Sequence, residues 1–223
     1  LCLAHMSESG MEQKYVKEAF DTNWVVPMGP NVNAFEIDLA NMANSKLDGS
    51  DPLDRKVVCL SAGTAAVHLA LIACGVEAGD EVCVQSFTFC ASSHPITYLG
   101  AKPIFIDSER DTWNMDPELL EKAIIDRKEK TGKYPKAIIP VALYGMPYDC
   151  EKIMAIGDKY GIPVIEDAAE GLGSRFNGQV LGTFGRFGVL SFNGNKMITT
   201  SGGGALICQN EEEANSIMWY ATQ

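Results

Sequence analysis

Short apolar runs alternate with longer segments of helical character along most of the chain. We interpret the runs as buried strands, since strands covered on both faces lack an alternation of polar and apolar positions. Five such strands are predicted over residues 57–60, 81–84, 103–106, 137–141 and 164–165. Six helices are predicted around and between them, over residues 9–20, 31–46, 65–74, 88–99, 117–130 and 150–160.

Two of these helices begin with a recognisable signal. Asp116 precedes Pro117, which combines a favoured N-cap residue with proline at the first helical position. Asn31 can cap the helix that follows it. The resulting β-α-β-α order predicts an α/β fold, with a mostly parallel sheet between helices and right-handed crossovers. Near the C-terminus the order changes, because residues 187–192 and 203–208 predict two strands with only a short loop between them.

Composition narrows the range of functions. The chain has 223 residues, 46% of them hydrophobic, which suffices for one large core. The net charge is −11 and no basic stripe is present, which argues against nucleic acid and anionic membrane surfaces as partners. No apolar run approaches the roughly 20 residues of a membrane-spanning helix.

The cysteines and histidines indicate neither disulfides nor a metal site. The seven cysteines are scattered and form no C-x-x-C pair, so we expect reduced thiols in a cytoplasmic protein. His5, His68 and His94 lack the spacing of metal ligands. We therefore predict no metal centre.

Lys196 is the first candidate for chemistry. It lies in residues 191–196, Ser-Phe-Asn-Gly-Asn-Lys, between the apolar pair Val189-Leu190 and the apolar run 205–207. A lysine between buried strands is costly unless its charge is used or removed, and an imine with an aldehyde cofactor is one such use. A lysine that extends along the surface to reach water is the alternative.

Further candidates follow the predicted strands, and in parallel α/β sheets ligands bind at those carboxyl ends. Gly63 and Thr64 open a helix, where backbone N–H groups and the helix dipole favour a phosphate. Phe89 follows the second strand, Asp167 the fifth, and Ser191 precedes Lys196. Each alone has an ordinary explanation: a strand-to-helix turn, a core aromatic, a helix cap or a salt-bridge partner.

Together these groups match the needs of pyridoxal 5′-phosphate. Its aldehyde requires a lysine, and its ring nitrogen requires an anionic partner that keeps it protonated. Its phosphate requires N–H and hydroxyl donors, and its ring face requires an apolar or aromatic cover. Asp167 follows two apolar residues and precedes two alanines, which suits the anionic partner.

Five ordered segments give the chain a specific resemblance. Residues 61–66, 85–89, 100–107, 166–173 and 191–196 resemble the DegT/DnrJ/EryC1/StrS sugar aminotransferases, and the resemblance extends from about His5 to Cys208. It implies the large domain of pyridoxal phosphate fold type I over residues 1–223, with an N-terminal helical segment and without the C-terminal small domain. The chain resembles a fragment at both ends, since residues 1–4 look like the end of a strand and residues 221–223 stop within a helix.

The resemblance also implies roles for single residues. Lys196 would hold the cofactor as an imine and move the proton, Asp167 would pair with the pyridine nitrogen, and Phe89 would stack on the ring. Glu170 falls where the family keeps a polar group near that ring, and Asn193 where a residue often faces the substrate. The phosphate would be held by Gly63, Thr64 and Ser191.

The activity implied is an aminotransferase of the nucleotide-sugar type. Glutamate would donate the amino group to the C4 ketone of a nucleotide-linked 4-keto-6-deoxy sugar, for amino-sugar and glycan biosynthesis. The implied enzyme is a cytoplasmic homodimer that uses pyridoxal 5′-phosphate and contacts neither nucleic acid nor membrane.

Three other interpretations remain open. Sugar dehydratases of the same fold typically carry histidine in place of the lysine, so Lys196 argues against them. An inactive truncated or regulatory member is the second, although no basic face or DNA-binding helix pair supports it. A nicotinamide-dependent dehydrogenase is disfavoured, because no G-x-G-x-x-G follows the first strand.

Overall fold

Seven strands form the central layer of the computed structural model, which describes residues 7–47 and 49–223. Four strands pair in the order β1-β9-β8-β5 and three in the order β3-β2-β4. Parallel bridges from Ile138 to Val164 and from Val141 to Asp167 join β4 to β5, so the two sheets are continuous. The predicted strand end at residues 1–4, with Cys2 and His5, lies outside the described residues.

The central strands are short, and their bounds lie within a few residues of the predicted ones. They are β1 (Lys56–Leu60), β2 (Glu81–Gln85), β3 (Lys102–Ile106), β4 (Ala137–Ile139), β5 (Ile165–Asp167), β8 (Phe187–Ser191) and β9 (Gly204–Cys208). A small hairpin outside the central layer consists of β6 (Arg175–Phe176) and β7 (Gln179–Val180).

Strand direction confirms the prediction of a mostly parallel sheet. The pairs β2–β3, β2–β4 and β5–β8 are parallel, whereas β9 is antiparallel to both β1 and β8. Residues 192–203 between β8 and β9 contain no helix, and parallel neighbours need a crossover connection that is usually helical. The chain therefore turns back, and β9 returns beside β8.

Helices cover both faces of the sheet, as predicted. They are α1 (Met11–Asp21), α2 (Pro30–Asn44), α3 (Gly63–Ala73), α4 (His94–Tyr98), α5 (Pro117–Thr131), α6 (Cys150–Tyr160) and α7 (Glu211–Thr222). One core cluster contains side chains of α2, α5 and α6, and the other contains side chains of α3, α4 and α7. Successive residues of β2 alternate between them, with Cys83 in the first cluster and Val82 and Val84 in the second.

Two predicted helix starts differ in outcome. The Asp116 side chain accepts hydrogen bonds from the backbone amides of Glu118 and Leu119, which confirms it as the N-cap of α5. The prediction that Asn31 caps the next helix is wrong, because α2 begins one residue earlier, at Pro30, and has no side-chain cap. Pro30 fits the first turn of a helix, where its missing N–H has no intrahelical partner to lose.

The predicted helix over residues 88–99 is also wrong in its extent. A 3₁₀ turn spans Cys90–Ser92, and α4 begins only at His94. Pro95 is tolerated in the first turn of a helix but not in its interior, so a helix that contains it must begin close to it. The turn that replaces the first part of the predicted helix positions two hydroxyl groups near the candidate site.

The β6–β7 hairpin was not predicted, although the sequence contains a signal for it. Asn177 and Gly178 join its strands and have φ values of 47° and 83°. Positive φ at both central residues is the requirement of a type I′ turn, for which Asn-Gly is the favoured pair. Within residues 7–47 and 49–223, no helix combines the length and the apolar character that crossing a membrane would require.

Candidate active site

A cavity of about 240 Å³ lies at the carboxyl ends of β1, β5 and β8. Loops that follow these strands supply its walls, together with the turn that follows β2. All predicted site residues except Glu170 line it, namely Gly63, Thr64, Phe89, Asp167, Ser191, Asn193 and Lys196. The fold therefore gathers residues that are more than a hundred positions apart in the sequence.

The N-terminus of α3 forms one wall of this cavity. The helix begins at Gly63, and within the described residues no side chain caps it. A Cβ at Gly63 would lie 2.9 Å from Ser191 Cβ and 3.2 Å from its Oγ, so a side chain would press into Ser191. Uncapped N–H groups and the hydroxyls of Thr64 and Ser191 provide hydrogen-bond donors for an anion, and the helix dipole adds a partial positive charge.

Lys196 reaches the cavity from the loop that follows β8. Its side chain is only 13% exposed, and its Nζ lies 3.5 Å from Oε1 of Glu170. The other oxygen of Glu170 accepts a 2.7 Å hydrogen bond from the backbone amide of Tyr144. Glu170 therefore links Lys196 to the turn after β4, although it does not line the cavity.

Asp167 ends β5 and is 6% exposed. Its Oδ2 accepts a 2.6 Å hydrogen bond from Ser92 Oγ, and its Oδ1 accepts one of 3.2 Å from the amide of Ala169. Burial raises the pKa of the Asp167 carboxyl, and these two hydrogen bonds and the charge of Lys196 act in the opposite direction. A buried carboxylate and a lysine therefore face one cavity.

Phe89 and Asn193 lie at the exposed rim of the cavity. Phe89 is 71% exposed, so it is not the core residue that its apolar character would ordinarily indicate. Asn193 is exposed and donates a 2.9 Å hydrogen bond from Nδ2 to Asn195 Oδ1. Both side chains are accessible to a ligand that enters the cavity.

Several residues of this region were not among the predicted site residues. Ser61, Ser92 and Asn195 line the cavity, and Thr88 contacts Ser92. Ser61 directly precedes the predicted turn, so its place at a strand end was a usable signal. Thr88 follows the second strand next to Phe89, so it had the same signal, whereas Ser92 had none, because the sequence pattern placed it inside a helix that the structure replaces with a turn. No group of three or more metal-ligating side chains occurs among the described residues.

Comparison with known proteins places the chain in a family. The model of the DegT/DnrJ/EryC1/StrS aminotransferase family matches residues 7–223. The chain is 49% identical over 219 residues to "Putative pyridoxal phosphate-dependent aminotransferase EpsN" of Bacillus subtilis (strain 168), and the match covers 98% of this chain and 53% of that protein. It is 38% identical over 205 residues to the GDP-perosamine synthase of Escherichia coli O157:H7, and this match covers 92% of this chain and 52% of that protein.

Solved structures agree with the sequence matches. The crystal structure of NtdA from Bacillus subtilis with bound cofactor PMP superposes with a TM-score of 0.80 at 29% identity, over 96% of this chain and 45% of that one. The chain spans about half the length of the curated relatives it matches. The family match covers nearly all of the sequence, and the fold and the ordered segments agree with it. This chain belongs to the DegT/DnrJ/EryC1/StrS aminotransferase family.

Proposed function

We propose that this chain is the cofactor-binding large domain of a pyridoxal phosphate-dependent nucleotide-sugar aminotransferase, with α1 and α2 as its N-terminal helical segment. The observation that carries the proposal is the convergence of Lys196 and Asp167 on one cavity at the carboxyl ends of the strands. A lysine for its aldehyde and an anionic partner for its ring nitrogen are the two groups that this cofactor requires of its protein. EpsN, named as a pyridoxal phosphate-dependent aminotransferase, supports the same assignment.

The residues around the cavity fit the cofactor's phosphate. A Cβ at Gly63 would collide with Ser191, so glycine keeps the backbone of the first turn of α3 open to a ligand. Gly204 also leaves this helix terminus open, because a Cβ there would lie 2.4 Å from the amide nitrogen of Gly63. We assign the phosphate to this helix terminus and to the hydroxyls of Thr64 and Ser191.

The remaining residues divide the work of the reaction. When bound, pyridoxal phosphate supplies an aldehyde and an electron-withdrawing ring. Lys196 would hold the cofactor and move a proton with its Nζ, and Asp167 would provide the negative charge that the ring nitrogen requires. Phe89 would provide an aromatic cover for the ring, and Glu170 would position Lys196 through their 3.5 Å contact.

We propose that the amino acceptor is a nucleotide-linked 4-keto-6-deoxy sugar and that glutamate is the donor. A relative named GDP-perosamine synthase supports the nucleotide-sugar class. Asn193, exposed at the rim, faces the sugar in this assignment. The proposed active form is a homodimer. No observation favours the dehydratase alternative, since position 196 carries the lysine that those enzymes lack.

Cofactor trapping tests the proposed function. The purified chain with pyridoxal phosphate is expected to be yellow, and borohydride reduction followed by peptide mass mapping is expected to locate the cofactor on the peptide that contains Lys196. Lys196→Ala should abolish this labelling, while Lys102→Ala, which removes an exposed lysine of β3, should leave it unchanged. A colourless protein, or label on another lysine, would overturn the assignment.

Substrate assays then test the finer assignment. A panel of nucleotide-linked keto-sugars is incubated with glutamate and the loaded protein, and amino-sugar formation is followed by mass spectrometry. Amino transfer to 4-keto-6-deoxy sugars supports the proposed acceptor, and amino transfer confined to other ketones refutes it. Native mass spectrometry of the same sample measures whether the chain forms the proposed dimer.

A further inference from the structure

Two hydroxyl groups connect the turn after β2 to Asp167. Ser92 Oγ lies 2.6 Å from Asp167 Oδ2, and Thr88 Oγ1 lies 2.8 Å from Ser92 Oγ. Ser92 is 1% exposed, whereas Thr88 is half-buried. The contact crosses 75 positions of sequence and joins the 3₁₀ turn Cys90–Ser92 to the end of β5. We call this pair of hydroxyls, Thr88 and Ser92, the hydroxyl relay.

The direction of the hydrogen bonds follows from the available protons. An ionised carboxylate only accepts, so the single hydroxyl proton of Ser92 is donated to Asp167. Ser92 then has no proton for Thr88, and Thr88 must donate to Ser92. A hydroxyl that accepts a hydrogen bond becomes a better donor in its next one. Each step of the relay therefore strengthens the bond that reaches the carboxylate.

The relay acts on a carboxylate that is held at both oxygens. The amide of Ala169 donates to Oδ1 and Ser92 donates to Oδ2. A carboxylate offers about four acceptor positions, so roughly two remain for the cavity that Asp167 lines. Two charged side chains also face Asp167: Lys196 favours its negative charge and Glu170 opposes it.

We propose that the hydroxyl relay is a positioning device that keeps Asp167 ionised and fixes the direction in which it faces the cofactor cavity. The identity of the ligand in this proposal rests on the proposed function, whereas the effect on Asp167 does not. Ser92 and Thr88 are positioning residues, because they act through Asp167. Without the relay, Asp167 would bind the ring nitrogen less tightly.

The effect on Asp167 is tested without cofactor, by urea unfolding of the apoprotein between pH 4.5 and pH 8. The folded pKa of Asp167 is raised by burial, so the carboxyl destabilises the fold increasingly as pH rises through that pKa. Ser92→Ala removes a hydrogen bond that lowers this pKa and should raise it further. Its unfolding constant should therefore exceed that of wild type by about tenfold at pH 8 and by much less at pH 4.5.

Matched controls separate this effect from a local packing defect. Ser93→Ala makes the same substitution one residue later, where the hydroxyl donates a hydrogen bond to the carbonyl of Cys90, and its effect should not vary with pH. Thr88→Val keeps Ser92 and removes the outer hydroxyl, so it should give a smaller effect of the same sign. Ser92→Thr retains a hydroxyl and should restore the pH dependence of wild type.

The effect on the cofactor site is measured as the dissociation constant of pyridoxal phosphate at pH 8. Ser92→Ala should raise this constant about tenfold, and Thr88→Val should raise it less. In Ser93→Ala the constant should stay within about twofold of the wild-type value. Wild type that binds no pyridoxal phosphate overturns the proposed function, while the apoprotein titration still decides the relay. The relay is overturned if Ser92→Ala and Ser93→Ala share one pH dependence. If Ser92→Ala does not fold, the pH dependence of the unfolding constant is compared between Thr88→Val and Ser93→Ala, and a shared dependence again overturns the relay.

Discussion

At the scale of single residues, two neighbouring acidic residues of one strand have different surroundings. Glu166 and Asp167 end the same strand, and both are buried with raised pKa values. Glu166 accepts hydrogen bonds from the amides of Gly182, Phe184 and Gly185, which ties β5 to the loop before β8. Asp167 lies on the cavity side, because successive strand residues point to opposite faces. Glu166 therefore stabilises the contact between β5 and the loop before β8, whereas Asp167 faces the cavity of the candidate site.

Gly63 offers a residue-scale prediction about the proposed phosphate site. In Gly63→Ala the new methyl group would lie 2.9 Å from Ser191 Cβ, so the first turn of α3 and Ser191 must separate. We expect a loss of about 1–3 kcal/mol in the free energy of unfolding and at least about a tenfold rise in the pyridoxal phosphate dissociation constant. Urea unfolding and a fluorescence titration measure the two quantities.

Gly194→Ala is the matched control for this substitution. Its added methyl group would meet nothing closer than Ser201 O at 3.8 Å, which is an ordinary contact. It should leave both quantities nearly unchanged. Unaltered cofactor affinity in Gly63→Ala would show that this helix terminus does not hold the phosphate.

At the scale of elements, helix boundaries follow local chemistry more closely than helical periodicity does. Asp116 caps α5 as predicted, and a left-handed Gly132 with φ of 74° ends that helix. Because Pro95 must lie in the first turn of its helix, α4 begins at His94, and Cys90–Ser92 form a 3₁₀ turn instead of a helix. The loop chemistry that results carries Ser92 and Phe89 to the cavity, so a helix breaker shapes the site.

The cap of α5 gives an element-scale prediction. Asp116→Ala leaves the amides of Glu118 and Leu119 without their side-chain acceptor, and should lower the free energy of unfolding by about 1 kcal/mol. Urea denaturation measures this loss. Asp126→Ala, on the same helix, removes a surface ion pair with Lys130 and a 3.6 Å contact with Arg127, and should cost less than about 0.5 kcal/mol. Equal losses in the two variants would contradict the cap's contribution.

At the scale of the whole molecule, two core layers account for most of the cysteines. Burial raises the pKa of Cys74 to about 11 and those of Cys59, Cys83 and Cys208 to about 12, and it also raises that of Cys150. Thiols react as thiolates, so these side chains are poor nucleophiles at neutral pH. Cys90 differs from them, because it is exposed in the turn after β2.

Thiol labelling tests this distribution over the folded chain. At pH 8 N-ethylmaleimide should modify Cys90 at least about tenfold faster than the five cysteines whose pKa values are raised, as measured by timed quenching and peptide mass mapping. In 6 M guanidinium chloride these six cysteines should react at similar rates. In the folded protein, Cys90→Ser should abolish the fast labelling among the cysteines of the described residues. Rapid labelling of Cys83 or Cys150 in the folded protein would contradict the two-layer core. Cys2 lies outside the described residues and is mapped separately.

The sequence by itself determined the class of fold and most of the candidate site. Apolar runs predicted the strands, and parallel strands bring their carboxyl ends to one edge, so Gly63, Asp167 and Lys196 could be assigned to one site from pattern alone. The strands and the shared cavity are confirmed, because burial is visible in the sequence as apolar runs and a parallel sheet aligns the ends of its strands. The roles of the three residues stay predictions.

Tertiary structure decided the contacts that connect distant segments. The contact between Ser92 and Asp167 depends on a turn that periodicity mistook for a helix, and the link from Lys196 through Glu170 to Tyr144 depends on the spacing of three loops. Such distances are fixed by the packing of the sheet and its helices. The sequence identified Lys196 and Asp167 as candidates, but only the folded chain shows that Ser92 binds Asp167 and that Glu170 contacts Lys196.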